Sequence, residues 1–360
     1  MTIRPHLRLS AFYSVTVLAS LAGTCLAQSG RTKATPTPTP KKITIEGPSI
    51  LSTPDPATRP KATPTPRADT EDVIKVESAL VPIPVSVLDE RGRAIASLRL
   101  QDFELKIDGK LADISDISHN EMPIRLAMLF DNSSSENLSR DFEKDAAVRF
   151  FKRVVRPDRD QACLYTIADD ARREQPFTSN VDLLVRTIRD FPSPAGATAI
   201  LDGIIDAASY LRSTDGRRVM VIVSDLEDNY SDPRTTMEMV LKSLQVSNVE
   251  VFIVNTKEFE NYKLTGARGG NANIQALSAT RRMQDITRET GGAVYSPINE
   301  HEMQDAFDQI SAELSQQYIL SYYPEDDSGD RGKFREITLS VKGKAGYQVR
   351  TRKGYYVPRK

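Results

Sequence analysis

The spacing of apolar residues changes near residue 123. Before that point Val81–Leu88 alternates apolar and polar positions as a half-buried strand does, and Asp102–Ile107 repeats the pattern. Asp89-Glu90-Arg91-Gly92-Arg93 reads as a turn, and Asp108-Gly109 as a hairpin turn ahead of a strand at Ile114–Ile117. Together these predict a small antiparallel β unit. Beyond Pro123, short and nearly continuous apolar runs take turns with amphipathic stretches. The runs predict strands at Leu126–Phe130, Ala162–Ile167, Val219–Ser224, Val249–Val254 and Ala293–Tyr295. The amphipathic stretches predict helices at Phe142–Val155, Val181–Arg189, Ala199–Leu211, Met237–Gln245, Leu277–Thr290 and Glu302–Gln317. Strands apolar on both faces and separated by helices belong to a parallel sheet covered on both sides. Tyr318–Tyr323, Phe334–Val341 and Gln348–Tyr356 then return to strand patterning. The simplest topology is α/β: a doubly wound, mostly parallel sheet over residues 123–317, inserted into a small discontinuous antiparallel β domain of residues 73–122 and 318–360.

The first 72 residues follow neither pattern. Residues 1–27 read as a signal peptide, with Arg4, His6 and Arg8 ahead of an apolar run from Leu9 to about Leu21. Cys25-Leu26-Ala27 offers a cut before Gln28, and the run is short for a membrane span. Lipidation at Cys25 and an uncleaved anchor are the alternatives; Ala22 and Thr24 suit a lipoprotein signal poorly. Residues 28–72 are Pro- and Thr-rich, and Lys-Ala-Thr-Pro-Thr-Pro occurs there twice, from Lys33 and from Lys61. Such a segment has too little apolar surface to offset its ordering entropy, and repeated Thr-Pro favours an extended, semi-rigid linker. The expected product is exported: periplasmic, envelope-bound or secreted. Without Cys25 the chain keeps Cys163 alone, so stability must come from a hydrophobic core and not from a disulfide. A net charge of −1 gives no reason to expect nucleic acid or an anionic membrane as partner.

Candidate chemistry lies where the predicted parallel strands end, the place where doubly wound sheets bind ligands. The first ends in Asp131-Asn132-Ser133-Ser134-Ser135. In an extended loop alternate side chains share a direction, so Asp131, Ser133 and Ser135 can converge while Asn132 and Ser134 point away. Thr198, in Gly196-Ala197-Thr198-Ala199, offers a further hydroxyl at a helix start, and Asp225 follows the strand ending at Ser224. Two carboxylates and three hydroxyls, without sulfur or imidazole, suit a hard divalent cation: Mg²⁺ first, with Mn²⁺ or Ca²⁺ as alternatives. So few charged ligands leave the ion short of neutralisation, and an Asp or Glu carboxylate from a protein partner would complete its shell.

Other features read more plainly. Asp169 and Asp170 look like turn and cap residues, and Asp228 and Asp232 like solvated loop charges. Gly266–Gly270 lacks the lysine and spacing of a phosphate loop and reads as a surface loop near the metal face. The Tyr322-Tyr323 and Tyr355-Tyr356 pairs read as packing between β layers. No catalytic residue is expected. His119 and His301, the histidines left after the signal, stand away from the metal face, which argues against a Ser-His-Asp triad. An aspartyl phosphotransfer site would need a second aspartate two residues after Asp131, where Ser133 stands.

The pattern Asp131-x-Ser133-x-Ser135, then Thr198, then Asp225 resembles the metal-ion-dependent adhesion site of von Willebrand factor A domains. Gly196–Asp202 and Ser224–Asn229 also resemble that family's loops. The flanks Phe103–Gly109, Tyr318–Pro324 and Arg352-Lys353-Gly354-Tyr355-Tyr356 are similar to the exported bacterial VWFA-related proteins first catalogued in acidobacteria. The resemblance implies that Asp131, Ser133 and Ser135 sit in or next to the metal's own shell. It implies that Thr198 binds directly when a ligand is engaged, and Asp225 directly or through water. One departure is Leu226, where relatives usually carry Gly after the aspartate. The function implied is an exported interaction or adhesion module that holds an acidic group of a protein partner through the metal. The alternative is a structural envelope component in which the metal braces the loops.

Overall fold

The computed structural model describes residues 80–119, 122–269, 273–324, 329–344 and 346–357. The expected signal peptide 1–27 and the expected linker 28–72 lie outside them. In chain order the described part begins with β1 (Val81–Leu88), β2 (Phe103–Ile107), β3 (Lys110–Ala112) and β4 (Ile114–His119). Asp108 and Gly109, at φ 50° and 77°, form the turn between β2 and β3, as a two-residue hairpin with mirror-image twist requires.

The α/β part then runs β5 (Ile124–Asp131), α1 (Arg140–Val154), β6 (Gln161–Ile167), β7 (Ala171–Thr178), α2 (Val181–Arg189), α3 (Ile200–Arg212) and β8 (Arg217–Val223). It continues with α4 (Met237–Val246), β9 (Val249–Val254), α5 (Lys257–Thr265), α6 (Ile274–Thr290), β10 (Val294–Tyr295) and α7 (Glu300–Gln316). The chain closes with β11 (Tyr318–Tyr322), β12 (Phe334–Val341), β13 (Gln348–Thr351) and β14 (Gly354–Tyr356).

The central sheet has the order β10-β9-β8-β5-β6-β7, parallel throughout except for β7, which runs antiparallel to β6. The alternation along β5 explains the two layers of helix. Leu126, Met128 and Phe130 pack into one core with α1, α2 and α7, while Ala127 and Leu129 pack into the other with α3, α4 and α6. From β5 the chain winds to β6 on one side, and later returns through α3 to β8 on the other. The β5/β8 boundary is therefore the switch point at which loops part to leave a crevice.

The two flanking pieces build two four-stranded antiparallel sheets, β13-β1-β11-β4 and β14-β12-β2-β3. Each contains strands from both ends of the described chain, so the β domain is discontinuous and the α/β part is inserted in it. Its core is formed by Ile83, Val85, Phe103, Leu105, Tyr318, Leu320 and Tyr355 between the sheets. Gln317 alone separates α7 from β11; it is buried, and its amide donates to Ser86 Oγ at 2.9 Å and Glu250 Oε1 at 2.7 Å.

Four elements depart from the sequence reading. The Asp108-Gly109 hairpin leads into β3, which pairs with β2, whereas β4 joins the other sheet beside β11. β7 was not predicted, because Ala-Arg-Arg-Glu-Gln-Pro-Phe-Thr carries the charge and proline of an edge strand instead of an apolar run. The helix α5 also escapes pattern reading, since only Phe259 and Glu260 in it are buried. The stretch Gln348–Tyr356 is two strands. Arg352 and Lys353 turn the chain from one sheet of the β domain into the other.

Candidate metal centre

Asp131 is the last residue of β5, and the parallel register sets Phe130 opposite Val223. The two strand ends therefore bring Asp131 beside Ser224, whose hydroxyl donates to Asp131 Oδ2 at 2.6 Å. Asp131 Oδ1 accepts the Ser133 N–H at 3.0 Å. The loop is extended only as far as Ser133; a 3-10 turn follows over Ser134–Glu136. That turn brings the Ser135 hydroxyl to within 3.0 Å of the Ser133 hydroxyl, in place of the simple alternation the sequence suggests. Asn132 and Ser134 do turn elsewhere. Asn132 Oδ1 accepts from Arg140 at 3.1 Å, and the Ser134 hydroxyl donates to Gly196 O at 3.0 Å.

The same turn places a residue that the motif does not include. Glu136 is completely buried, its Oε1 accepting from Thr256 Oγ1 at 2.9 Å and its Oε2 from Ser139 Oγ at 3.1 Å. Asp131, Glu136 and Asp225 each offer a carboxylate oxygen, and these oxygens all lie within 4.8 Å of one another. The signal for Glu136 was its place next to Ser135, but without the 3-10 turn nothing tells an inward glutamate from a surface one.

Asp225 directly follows Ser224 at the end of β8. Its Oδ1 accepts the Glu227 N–H at 2.9 Å, and Lys257 Nζ stands 3.4 Å from Oδ2 and 2.7 Å from Glu227. Between these two aspartates comes the Thr198 loop, held on both sides. Gly196 O takes the Ser134 bonds, Asp169 Oδ1 accepts the Ala197 N–H at 2.7 Å, and Thr198 N–H donates to Asn229 Oδ1 at 2.8 Å. Gly196 adopts φ 86°, and a Cβ there would lie 2.8 Å from Asp169 Oδ1. A glycine is thus required for Asp169 to cap this loop. Thr198 is buried, and its hydroxyl has no hydrogen-bond partner among the described residues. Asp228 is tied into the same cluster rather than freely solvated, accepting from Ser231 Oγ at 2.5 Å. Asp232 is the exposed residue the sequence suggests, paired with Arg234 at 2.6 Å.

Crowding buried carboxylates raises their affinity for protons or for a cation. Burial pushes Asp131 up to about 6 against the pull of its Ser133 and Ser224 hydrogen bonds. Glu136 is held well above the ordinary carboxylate range by burial first and then by Glu143, Asp131 and Asp225. Asp225 is raised by burial, with Lys257 pulling the other way. Behind them Arg140, itself buried, pairs with Glu143 at 3.1 Å and donates to the Asp131 carbonyl, fixing the end of β5. Glu260 Oε1 accepts from the Leu138 and Ser139 N–H groups at 3.1 and 2.9 Å, anchoring the entry to α1.

The donor set is one of oxygens alone: Asp131, Glu136 and Asp225 carboxylates with the Ser133, Ser135 and Thr198 hydroxyls. It fits a hard divalent cation, and the unpartnered Thr198 hydroxyl and the mutual repulsion of the carboxylates are what such an ion would resolve. The histidines are not part of it. His119 packs on Tyr318 with ring centres 4.5 Å apart, and His301 is an exposed residue of α7 paired with Asp305.

No protein-family model matches the chain, and no curated protein matches it. Among solved structures, 54% of the chain aligns with 62% of the PilB minor pilin from Streptococcus sanguinis, at 16% identity and a TM-score of 0.43. The chain therefore spans less than two thirds of that pilin's length. A further 52% alignment covers 97% of the conserved hypothetical protein BatB from Bacteroides thetaiotaomicron, at 15% identity and a TM-score of 0.39. The vWF domain of the type V pili tip protein Mfa5 from Porphyromonas gingivalis is covered to 94% by 53% of the chain, at 12% identity and a TM-score of 0.40. The α/β architecture of this chain stands on its own strand order and pairings.

Proposed function

We propose that this chain is an exported interaction module of the von Willebrand factor A type, which binds a protein partner through a divalent cation at the β5/β8 switch point. The observation that carries the reading is the convergence of Asp131, Glu136 and Asp225 within 4.8 Å, rimmed by the Ser133–Ser135 hydroxyl pair. Residues that would hold the ion are Asp131, Ser133, Ser135, Thr198 and Asp225, joined by Glu136. The ion would supply a positive centre to which a partner's Asp or Glu side chain can bind. Export is inferred from the basic, then apolar, N-terminal segment; among the described residues no helix is long and apolar enough to cross a membrane.

Binding is favoured over catalysis by the same geometry. Among the described residues no imidazole reaches the cluster, and its three carboxylates are buried. Calorimetric titration of the full chain with Mg²⁺, Mn²⁺ and Ca²⁺ tests the site. Binding is expected in the native protein and should be lost in Asp131→Ala; equal affinity in both would sink the assignment. Capture of partners from envelope extract, with and without EDTA, tests the use of the ion. A partner set indifferent to EDTA would favour a cation that only braces the loops.

A further inference from the structure

We infer that Glu136 is itself a cation ligand, and that it makes this a calcium-preferring site with positions to spare for a partner. The inference rests on the cation reading above and sharpens it. The five-residue pattern offers two carboxylates, a count that suits Mg²⁺, which keeps several waters and is usually held by one or two carboxylates. Glu136 changes that count. It lies one residue beyond Ser135, its oxygen is within 4.8 Å of those of Asp131 and Asp225, and it is as buried as Asp131.

Two independent observations support it. Thr198 is 3% exposed as a residue, and its hydroxyl has no hydrogen-bond partner among the described residues, as befits a group kept for an ion. The positive charges nearby are also otherwise engaged. Arg140 bonds Glu143, the Asp131 carbonyl and Asn132, and Lys257 is shared between Asp225 and Glu227. Neither touches the Glu136 carboxylate, which accepts from the Thr256 and Ser139 hydroxyls and lies against the Glu143 carboxyl.

Three carboxylates and three hydroxyls make six protein oxygens. For Mg²⁺, which takes about six ligands in strict octahedral geometry, they would leave no vacancy and would demand full dehydration. Ca²⁺ accepts roughly six to eight oxygens in flexible arrangements. It can take all six and still accept a partner's carboxylate. Lys257 is shared between Asp225 and Glu227, so four carboxylates, one ammonium and one divalent ion leave a net charge of −1. An incoming acidic group is then held by coordination and not by a large excess of positive charge.

Isothermal titration of the full chain with CaCl₂ and MgCl₂, on native protein and on Glu136→Gln, tests this. The amide keeps the volume and can still bond Thr256 and Ser139, so the thermal midpoint in EDTA should be preserved. Native protein should bind Ca²⁺ at least roughly tenfold more tightly than Mg²⁺, and Glu136→Gln should lose most of that preference by weakening Ca²⁺. Should the amide variant fail to fold, Glu136→Asp keeps the charge and is expected to retain the preference with lowered affinity. Two results overturn the inference: equal affinities for the two ions in native protein, or an unchanged preference in Glu136→Gln. In both, Asp131→Ala losing all binding would leave the cation site itself standing. Native protein that binds neither ion overturns the site and the inference together.

Discussion

At the scale of single residues, Leu226 shows how the site is strained into shape. It follows Asp225, adopts φ 53°, and is fully buried in the core shared with α3, α4 and α6. Left-handed backbone costs a non-glycine residue roughly 1–2 kcal/mol. Here the cost is offset by packing. The usual order of substitutions should therefore invert. Leu226→Ala keeps the backbone cost and empties a buried site, for a loss of about 3 kcal/mol. Leu226→Gly removes the same side chain but relieves the backbone, so it should be about 1 kcal/mol more stable than the alanine variant. Chemical denaturation of the pair checks this; an alanine variant equal to or more stable than the glycine one would contradict it.

At the scale of elements, the seam between the inserted part and the β domain is made by close backbone contact. Gly291 ends α6 at φ 90°, and a Cβ there would lie 2.6 Å from the Thr351 carbonyl carbon of β13. Beside it the Lys353 N–H donates to Glu289 O at 3.1 Å, and Arg350 pairs with buried Glu313 of α7. Gly291→Ala combines left-handed strain with a clash against backbone, and should cost about 3 kcal/mol or more. A thermal midpoint within a degree or two of native would refute the contact. The sequence places this glycine at a helix end but not against Thr351, because that contact comes from a strand some sixty positions away. The same limit explains what else was hidden. Strands and helices with an apolar period, such as Val249–Val254 and Val181–Arg189, were legible to the residue. β7 and α5 were not, because their burial is one-sided and set by neighbours. Asp131, Ser133, Ser135, Thr198 and Asp225 could be singled out as candidates from spacing and strand ends. Glu136 could not, since its inward turn depends on the 3-10 geometry after Ser133.

For the molecule as a whole, the buried acids couple stability to pH. Burial lifts Asp131 to about 6 and Glu143 to about 7, the latter against the pull of Arg140. Both values exceed those of an ordinary carboxyl group, so the folded protein holds these protons more tightly than the unfolded chain does. Their contribution to stability is thus fully present at low pH, below their unfolded values, and is lost as pH rises through about 6 and then about 7. Without a cation, the thermal midpoint should fall between about pH 5 and about pH 8, and added Ca²⁺ should restore it at the upper end. A cation-free midpoint that stays level or climbs over that range would contradict the assignment of these groups as crowded acids.

The way the α/β part is inserted also sets how the molecule bears force. It leaves the β domain at the end of β4 and re-enters at the start of β11, and these ends are paired, His119 opposite Tyr318. The upstream chain enters β1 at Val81, which pairs with Tyr322 at the far end of β11. A pull between Val81 and the α/β part would therefore load β1 and β11 from opposite ends. The strands would have to slide along each other, breaking the pairs from Val81–Tyr322 to Val85–Tyr318 together and not one after another. Tension applied in this direction would be borne in shear.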